Sequence, residues 1–223
     1  MLYVPPEAAV FRVPKEIPWD VAVLTEPLAV CCRAVLLSRP RLGDTAVVVG
    51  AGPIGLLCIP AVKAAGAQRV ILVGSRANRL ELSRALGADE VVDVRAGHAL
   101  AEVLELTGGR GADLVFETAG TADSHAQSVT YARRGGTVTL IGLTGTKSAG
   151  FDTDQIVADE LRVQGSYLSA GAYPAAIGLL ARGELPFERL VTQRFPLAEA
   201  ARALQASVER RDGCIKVVID PTA

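Results

Sequence analysis

A glycine-rich stretch, VVVGAGPIGLL at residues 47–57, places the strongest constraint on how this chain can fold. No charged side chain occurs between Thr45 and Val62, which is close to the length of a membrane-spanning helix. A membrane helix needs about 20 uninterrupted apolar residues. Here two prolines and three glycines interrupt the run: Pro53, Pro60, Gly50, Gly52 and Gly55. The stretch therefore does not predict a membrane span.

The same stretch divides instead into a strand and a helix. TAVVVG is a run of β-branched residues of strand length, and PIGLLCIPAVKAAG predicts a helix that ends at Gly66. Pro53 suits the first turn of that helix, because the N–H group that proline lacks has no partner there. A buried strand that turns through glycines into a helix is the resulting prediction.

Strands and helices then alternate along the chain. The predicted strands that follow are RVILVG, EVVDV, ADLVFETAG, GTVTLIGL and LRVQGSYL. The predicted helices are ANRLELSRALG, HALAEVLELTGG, and the stretches 124–133 and 153–161. Such apolar strands alternating with helices require a parallel sheet that is covered on both faces. We predict an α/β fold with a doubly wound parallel six-stranded sheet of the Rossmann type, whose ligand crevice lies at the carboxyl ends of the strands.

The pattern changes after Leu168. AYPAAIGLLARGELPFERL and LAEAARALQASV are amphipathic helical stretches, and CIKVVID is a last strand that the alternating scheme does not need. We therefore expect residues 171–223 to leave the sheet domain.

The overall charge narrows the class of partner. The chain has 223 residues, 21% of them charged, and a formal net charge of -1, so nothing favours nucleic acid or a membrane surface. Its four cysteines lack CxxC spacing, and its first residues lack a basic segment followed by an apolar one. A small-molecule partner and a cytoplasmic location are the expectations.

The glycine pattern predicts a dinucleotide site because it follows a strand and opens a helix. Gly50 would permit the tight turn, Gly52 would let a pyrophosphate approach the backbone, and Gly55 would let the helix pack closely on the strand. Pro53 and Ile54 then lie at the helix N-terminus, where free N–H groups and a partial positive charge favour phosphate. The alternative is a glycine-rich turn that binds no dinucleotide.

The end of the second strand favours NADP over NAD. NAD-binding units place an Asp or Glu there for the ribose hydroxyls, whereas this chain has Gly74, Ser75 and Arg76. An acid would repel a 2′-phosphate by about 1–4 kcal/mol at about 4 Å. Ser75 can donate a hydrogen bond, and Arg76 and Arg79 offer guanidinium groups suited to phosphate. The alternative is that Ser75 caps the next helix and both arginines are solvated surface charges.

Several segments together carry a family resemblance: EPLAVCCRAV, VVVGAGPIGLL, ALGADEVVD, GADLVFETAG, GGTVTLIGL and IKVVI. They resemble the cofactor domain and closing segment of the medium-chain, zinc-dependent alcohol and polyol dehydrogenases. TEPLAV is most similar to the sorbitol and threonine dehydrogenase branch, and VGSR is similar to NADP-dependent secondary-alcohol members.

The resemblance implies an activity and further site residues. The activity is reversible hydride transfer between an alcohol or polyol and NADP(H), with zinc as a Lewis acid on the alcohol oxygen. Lys216 matches a basic residue that reaches the pyrophosphate, although it can equally be an exposed charge on an edge strand. We expect the strand at 161–166 to be a sheet edge, across which dimers of the family pair, so a homo-oligomer, a dimer or a tetramer, is expected. The implied cofactor neighbours are Ala119, Gly120, Gly142, Leu143 and Leu168.

The chain also departs from the family. Members begin with a domain that supplies a Cys and a His to the zinc, and this sequence lacks it. Residues 1–24 resemble the tail of that domain and its linker, residues 25–170 the dinucleotide-binding domain, and residues 171–223 the segment that returns to the missing domain. Glu26 is the one possible metal ligand, but a catalytic zinc takes three protein ligands. A helix start, with Thr25 as cap and Glu26 at the positive end of the dipole, is the favoured interpretation.

Three functional interpretations remain open. The chain is a member or a piece of a zinc-type NADP(H)-dependent dehydrogenase, a non-catalytic NADPH-binding module, or a zinc-free quinone or enoyl reductase of the same superfamily. His98 and His125 lie near helix starts without a cysteine at ligand spacing, so we expect them to be caps or surface residues. Cys31 and Cys32 are adjacent on one helix and point to different faces, so at least one belongs to the core.

Overall fold

A twisted parallel sheet forms the centre of the molecule, as the alternating sequence pattern predicts. The structure is a computed structural model that describes residues 3–145, 150–209 and 213–222. In the described chain, six parallel strands pair in the order β3-β2-β1-β4-β5-β6, so the doubly wound fold is confirmed. These strands are β1 (Thr45–Val49), β2 (Arg69–Gly74), β3 (Glu90–Asp93), β4 (Ala112–Glu117), β5 (Ala132–Leu140) and β6 (Arg162–Gly165). β6 is the sheet edge that we expected.

Helices cover both faces of this sheet. Those in the first part of the chain are α1 (Trp19–Ala22), α2 (Thr25–Ser38), α3 (Pro53–Ala64), α4 (Ala77–Ala85) and α5 (Ala99–Leu106). The later ones are α6 (Ala122–Ser128), α7 (Thr153–Ala158), α8 (Tyr173–Ala181) and α9 (Ala200–Glu209). None of the helices in the described residues is long and apolar enough to cross a membrane.

The period-two alternation of the strands produces two separate cores. On β1, Ala46 and Val48 pack into one cluster with α2, α3 and α8, while Val47 and Val49 pack into a second cluster on the opposite face. Successive side chains of a strand point to opposite faces, so a strand buried on both sides must be apolar throughout. This is why TAVVV carries no polar alternation and why its apolar run imitates a membrane segment.

The C-terminal part departs in detail from the predicted elements. β8 (Lys216–Asp220) lies outside the main sheet, as expected, and pairs in parallel with β7 (Val191–Pro196), a strand that the sequence pattern did not predict. The long helical stretch after Leu168 is broken: α8 ends at Ala181, and a separate 3-10 turn spans Phe187–Leu190. Pro186, which separates the two, cannot continue a helical hydrogen-bond ladder.

The end of α6 and the start of α2 also differ from the expectation. The stretch 124–133 is not one helix, because α6 ends at Ser128, a 3-10 turn follows, and β5 already begins at Ala132. Thr25 is not the cap of α2. The capping position is Leu24, and the Thr25 hydroxyl donates to Ala22 O at 2.7 Å.

Candidate functional site

A cleft of about 580 Å³ opens at the carboxyl ends of β1, β2 and β4, where the strand order reverses. Open α/β sheets bind their ligands at such a switch point. Nine of the residues singled out from the sequence line it: Gly50, Gly52, Pro53, Ile54, Gly74, Ser75, Arg76, Arg79 and Ala119. Sequence reasoning missed Val94, which follows β3, and the side of the cleft near β4 and α6, which includes Thr118, Thr121, Asp123, Ser124, Gln127 and Tyr131.

The glycines of the β1–α3 turn have three different steric environments. Gly50 adopts φ 106°, a left-handed conformation that favours glycine, and a Cβ there would lie 2.8 Å from Ala119 N. A Cβ on Gly55 would lie 1.8 Å from Gly50 O, so this glycine lies under the turn rather than in the cleft. A Cβ on Gly52 would meet nothing within 4 Å. The open face of the turn is therefore at Gly52.

The N-terminus of α3 points a helix dipole at this open face. Gly52 is the capping residue and Pro53 the first helical residue. Within the described chain no side chain caps this end, and the first turn carries no acidic residue. The backbone N–H groups at this end are therefore available to an anion, which the dipole also attracts.

A close contact between β2 and the glycine turn explains why Gly74 carries no side chain. A Cβ on Gly74 would lie 2.7 Å from the Ala51 Cβ and 3.0 Å from Leu80 Cδ2. An acid at this position is thus excluded by packing. The capping residue of α4 is Arg76, and no side chain caps the helix, so the alternative in which Ser75 acts as its cap is wrong.

Arg79 lines the cleft but is not a solvated surface charge. Its side chain is buried, and its guanidinium donates to Ala51 O at 3.2 Å and to Cys214 O. These bonds tie the glycine turn to the segment that precedes β8. Lys216 begins β8 two residues after Cys214. Arg79 thereby connects the cleft to the strand that carries Lys216.

Glu117, at the end of β4, is a buried carboxylate that sequence reasoning missed. It has no exposed surface, and its Oε1 accepts hydrogen bonds from Ala119 N at 2.8 Å, Gly120 N at 2.9 Å and Ser124 Oγ at 2.7 Å. Ala119 and Ser124 line the cleft. The signal was present in FETAG, since an acid inside an apolar strand requires internal hydrogen bonds.

His125 is buried, so the expectation of a cap or surface residue is wrong for it. Its Nε2 lies 3.0 Å from Gly142 O and 2.9 Å from Glu117 Oε2. The His125 Nε2 group has the geometry of a hydrogen bond to Gly142 O. Glu117 Oε2 lies close to the same nitrogen but has no hydrogen-bond partner. His98, in contrast, is exposed, and its side chain does not cap α5.

The remaining cofactor neighbours implied by the resemblance are not among the residues that line the cleft. A Cβ on Gly142 would be 2.4 Å from Gly120 N, and a Cβ on Gly120 would be 2.9 Å from Leu143 O, so the ends of β4 and β5 touch through glycine. Leu143 is largely exposed, and Leu168 is exposed with φ 54°. The cofactor roles of these residues remain predictions.

The described residues do not fit a zinc site. Glu26 is exposed in the first turn of α2, and the described parts of the chain contain no group of three or more His, Cys, Asp or Glu side chains that could hold a metal ion. Burial raises the pKa of the Cys31 thiol well above its usual value and that of Cys32 to about 11. A thiol in this state is a poor ligand, because zinc binds the thiolate.

Comparisons with known proteins agree with this fold. Sorbitol dehydrogenase from Bacillus subtilis strain 168 is 30% identical over 212 residues, covering 95% of this chain and 60% of that protein. A structure from Sinorhizobium meliloti 1021, described as a zinc-binding dehydrogenase bound to NADP, has a TM-score of 0.86 and 32% identity, covering 95% of this chain and 62% of the other.

A second solved structure carries a different coenzyme. It is described as a short-chain alcohol dehydrogenase from Escherichia coli CFT073 complexed with NADH, with a TM-score of 0.84 and 26% identity, and it covers 94% of this chain and 61% of the other. The present chain thus spans about three fifths of the length of the relatives it matches. The family described as zinc-binding dehydrogenase matches residues 53–182, which is more than half of the chain, so this protein belongs to the zinc-binding dehydrogenase family.

Proposed function

We propose that this chain binds NADP(H) in the cleft and serves hydride transfer between the carbinol carbon of an alcohol or polyol and C4 of the nicotinamide. The observation that carries the proposal is the turn at Gly50–Gly55, which lies at the switch point with an open face at Gly52 and a helix N-terminus behind it. Residues 25–170 would form the coenzyme-binding domain.

The residues of the cleft fit the parts of a dinucleotide in order. The diphosphate would lie over Gly52, where no atom within 4 Å of a built Cβ obstructs it, and would accept hydrogen bonds from the first amides of α3. The adenosine ribose would lie at the end of β2, where Gly74 and Ser75 line the cleft. Lys216 would approach the diphosphate from β8.

The end of β2 supports NADP(H) over NAD(H). No carboxylate lies at Gly74, and the steric contact with Ala51 leaves no room for one. Ser75 and Arg76 line the cleft beside it and offer a hydroxyl and a guanidinium to a 2′-phosphate. The two related structures contain NADP and NADH, so the preference rests on these residues rather than on the comparisons.

The described residues do not bring together a set of side chains that could bind zinc, so no step of the proposal assigns zinc to them. What this chain contributes to the reaction is the binding and orientation of the hydride carrier, through backbone groups at the strand ends. Orientation of this kind lowers the barrier by making the transfer effectively unimolecular. The substrate class, an alcohol or polyol, is supported by the relatives, of which one is a sorbitol dehydrogenase. A cytoplasmic location remains part of the proposal.

A fluorescence titration with NADPH and NADH tests the proposal. We expect NADPH to bind more tightly, and Arg76→Ala to weaken NADPH binding by about 10- to 100-fold with little effect on NADH, because a charge-assisted contact contributes about 1.5–3 kcal/mol. Arg84→Ala is the matched control, since Arg84 is an exposed arginine on the same helix outside the cleft. Tighter binding of NADH would refute the NADP preference, and no binding of either coenzyme would refute the proposed function.

A homo-oligomer that pairs across β6 is a further part of the proposal. β6 is an edge of the sheet in the described chain, so its outer backbone groups can pair with a second copy. Light scattering on the purified chain should give a mass of at least two copies. A monomer at micromolar concentration would contradict this part without affecting coenzyme binding.

A further inference from the structure

A buried hydrogen-bond network lies behind the β4 side of the cleft. Its centre is the Glu117 carboxylate, which has no exposed surface. Burying an ionised carboxylate is strongly unfavourable unless hydrogen bonds replace its hydration. A network of this kind needs a reason beyond packing, since an apolar residue in β4 would avoid the cost. Its hydrogen-bond partners indicate what that reason is.

The first set of partners fixes the turn that follows β4. Oε1 of Glu117 accepts the N–H groups of Ala119 and Gly120 and the hydroxyl of Ser124. Ser124 in turn accepts from Thr121 N at 3.0 Å, and Thr121 Oγ1 accepts from Ser124 N at 3.1 Å, which is a reciprocal capping arrangement at the start of α6. Ala119, Thr121 and Ser124 all line the cleft. One oxygen atom therefore holds Ala119 and Ser124 directly and Thr121 through Ser124.

The second partner, His125, fixes the end of β5 against the same turn. Its Nε2 bonds to Gly142 O, while Gly142 N donates to Glu117 O at 3.1 Å. Gly142 approaches so closely that a Cβ on it would lie 2.8 Å from Glu117 Oε2. The bond to Gly142 O requires the hydrogen of the ring to be on Nε2. The Glu117 carboxylate and the His125 imidazole thus hold the end of β4 against the end of β5, and Gly142 fits between the strand ends only because it has no side chain.

We propose that Glu117 and His125 are a positioning pair, which holds the β4–α6 turn and the end of β5 in the conformation that the coenzyme binds. The inference rests on the proposed function. Neither residue lines the cleft, so both act through the backbone groups and hydroxyls that do. The pair takes no part in the chemistry. It orders the wall before the coenzyme arrives, so the coenzyme does not have to order that wall on binding.

Variants of His125 test the pair, because they change one hydrogen bond without emptying the site. His125→Leu removes the donor, and His125→Gln restores an N–H group at a similar distance from the backbone. We expect His125→Leu to weaken NADPH binding about tenfold and His125→Gln to recover most of that loss. Glu117→Gln should resemble His125→Leu, since its amide N–H₂ would face the Nε2–H group and displace it from Gly142 O.

Ser128→Ala separates positioning from general loss of stability. Ser128 is buried on the same helix and donates to His125 O at 2.6 Å, but it does not bond to the cleft wall. We expect Ser128→Ala to lower the melting temperature. The dissociation constant of NADPH should stay within about twofold of the wild-type value, because at temperatures below the melting transition the variant is folded and the β4 side of the cleft is intact. If His125→Leu changes binding no more than Ser128→Ala does, the pair is merely structural and the proposal is overturned.

Amide hydrogen exchange provides a readout that does not need the coenzyme. In the wild-type chain the amides of Ala119 and Gly120 should be protected. In Glu117→Gln and His125→Leu these two amides should exchange at least about tenfold faster than in wild type, whereas amides in the centre of β1 should keep their wild-type exchange rate. Equal protection in all variants would overturn the proposal even where NADPH binds normally. Failure of the wild-type chain to bind NADPH, with Ala119 and Gly120 still protected, would refute the proposed function and leave only a structural network.

Discussion

The two walls of the cleft are built by opposite means. The wall formed by β1, α3 and β2 is made of backbone that approaches backbone, with Gly50, Gly55 and Gly74 where any side chain would collide. The wall formed by β4, α6 and β5 is held by buried polar side chains, with Glu117 and His125 at its centre. The first wall is therefore sensitive to added atoms, and the second is sensitive to removed hydrogen-bonding groups.

The largest effect is expected on the polar wall. Glu117→Ala removes the buried acceptor of three hydrogen bonds at once, which should lower the free energy of unfolding by about 3–5 kcal/mol. Urea denaturation measures this loss. Glu105→Ala, at an exposed glutamate of α5, is the control and should stay within about 0.5 kcal/mol of wild type. Equal effects of the two substitutions would contradict the account of the polar wall.

On the glycine wall, one added methyl group should have a comparable but smaller effect. Gly55→Ala places a Cβ 1.8 Å from Gly50 O and 2.7 Å from Thr118 Oγ1, so α3 must move away from the turn. We expect the free energy of unfolding to fall by about 1–3 kcal/mol, the usual range for overpacking. A variant as stable as wild type would show that the helix and the turn are less closely packed than described.

Gly52→Ala should separate binding from stability on the same wall. Gly52 has an extended backbone, φ -79°, and a Cβ there meets no protein atom, so stability should be unchanged or higher by about 0.5 kcal/mol. The methyl group would occupy the path of the diphosphate, and NADPH binding should weaken about tenfold or more. Calorimetric titration and thermal melting together measure both quantities. Unchanged affinity would mean that no phosphate approaches this residue.

The smallest effect is expected at the opposite end of β4, where a carboxylate holds a backbone amide in a less buried site. Asp113 accepts from Thr45 N at 2.8 Å and from Arg133 Nε at 2.6 Å. Burial raises the pKa of Asp113, but the Thr45 amide and the Arg133 guanidinium together lower it below its usual value. Asp113→Asn should lower the free energy of unfolding by about 1 kcal/mol at pH 7.

The sign of the shift sets the pH dependence of that difference. A carboxylate whose pKa is lowered by folding contributes its full stabilisation above its usual pKa of about 3.9 and loses it as the pH falls through the lower folded value. The difference between wild type and Asp113→Asn should therefore shrink below about pH 4. Urea denaturation at pH 7 and pH 3 compares them. A difference that does not change between these values would contradict the pKa direction.

The glycine wall could be predicted from the sequence because its constraints are local. Gly50, Gly52 and Gly55 follow a strand within six residues, and the strand, turn and helix are all visible in the order of residue types. The parallel six-stranded sheet follows from the alternation of strands and helices. The edge position of β6 was expected from the family resemblance.

Of the polar wall, only the buried acid in FETAG left a signal in the sequence, and the contact that joins the end of β5 to the β4–α6 turn left none. His125 lies 2.9 Å from Glu117 Oε2 because α6 folds back over β4, and its Nε2 bonds to Gly142 O across 17 positions. β7 was missed since its short VTQRFP stretch pairs only with β8 and carries no alternation. The sequence also does not show that Arg79 bonds to the carbonyl groups of Ala51 and Cys214, and its role towards a phosphate remains a prediction.

A crystal structure of the chain grown with NADPH tests the central claim most directly. The account predicts electron density for the diphosphate over Gly52 and the first amides of α3, with the 2′-phosphate beside Ser75 and Arg76. A cleft that stays empty at saturating NADPH, or a diphosphate bound away from the N-terminus of α3, would contradict it.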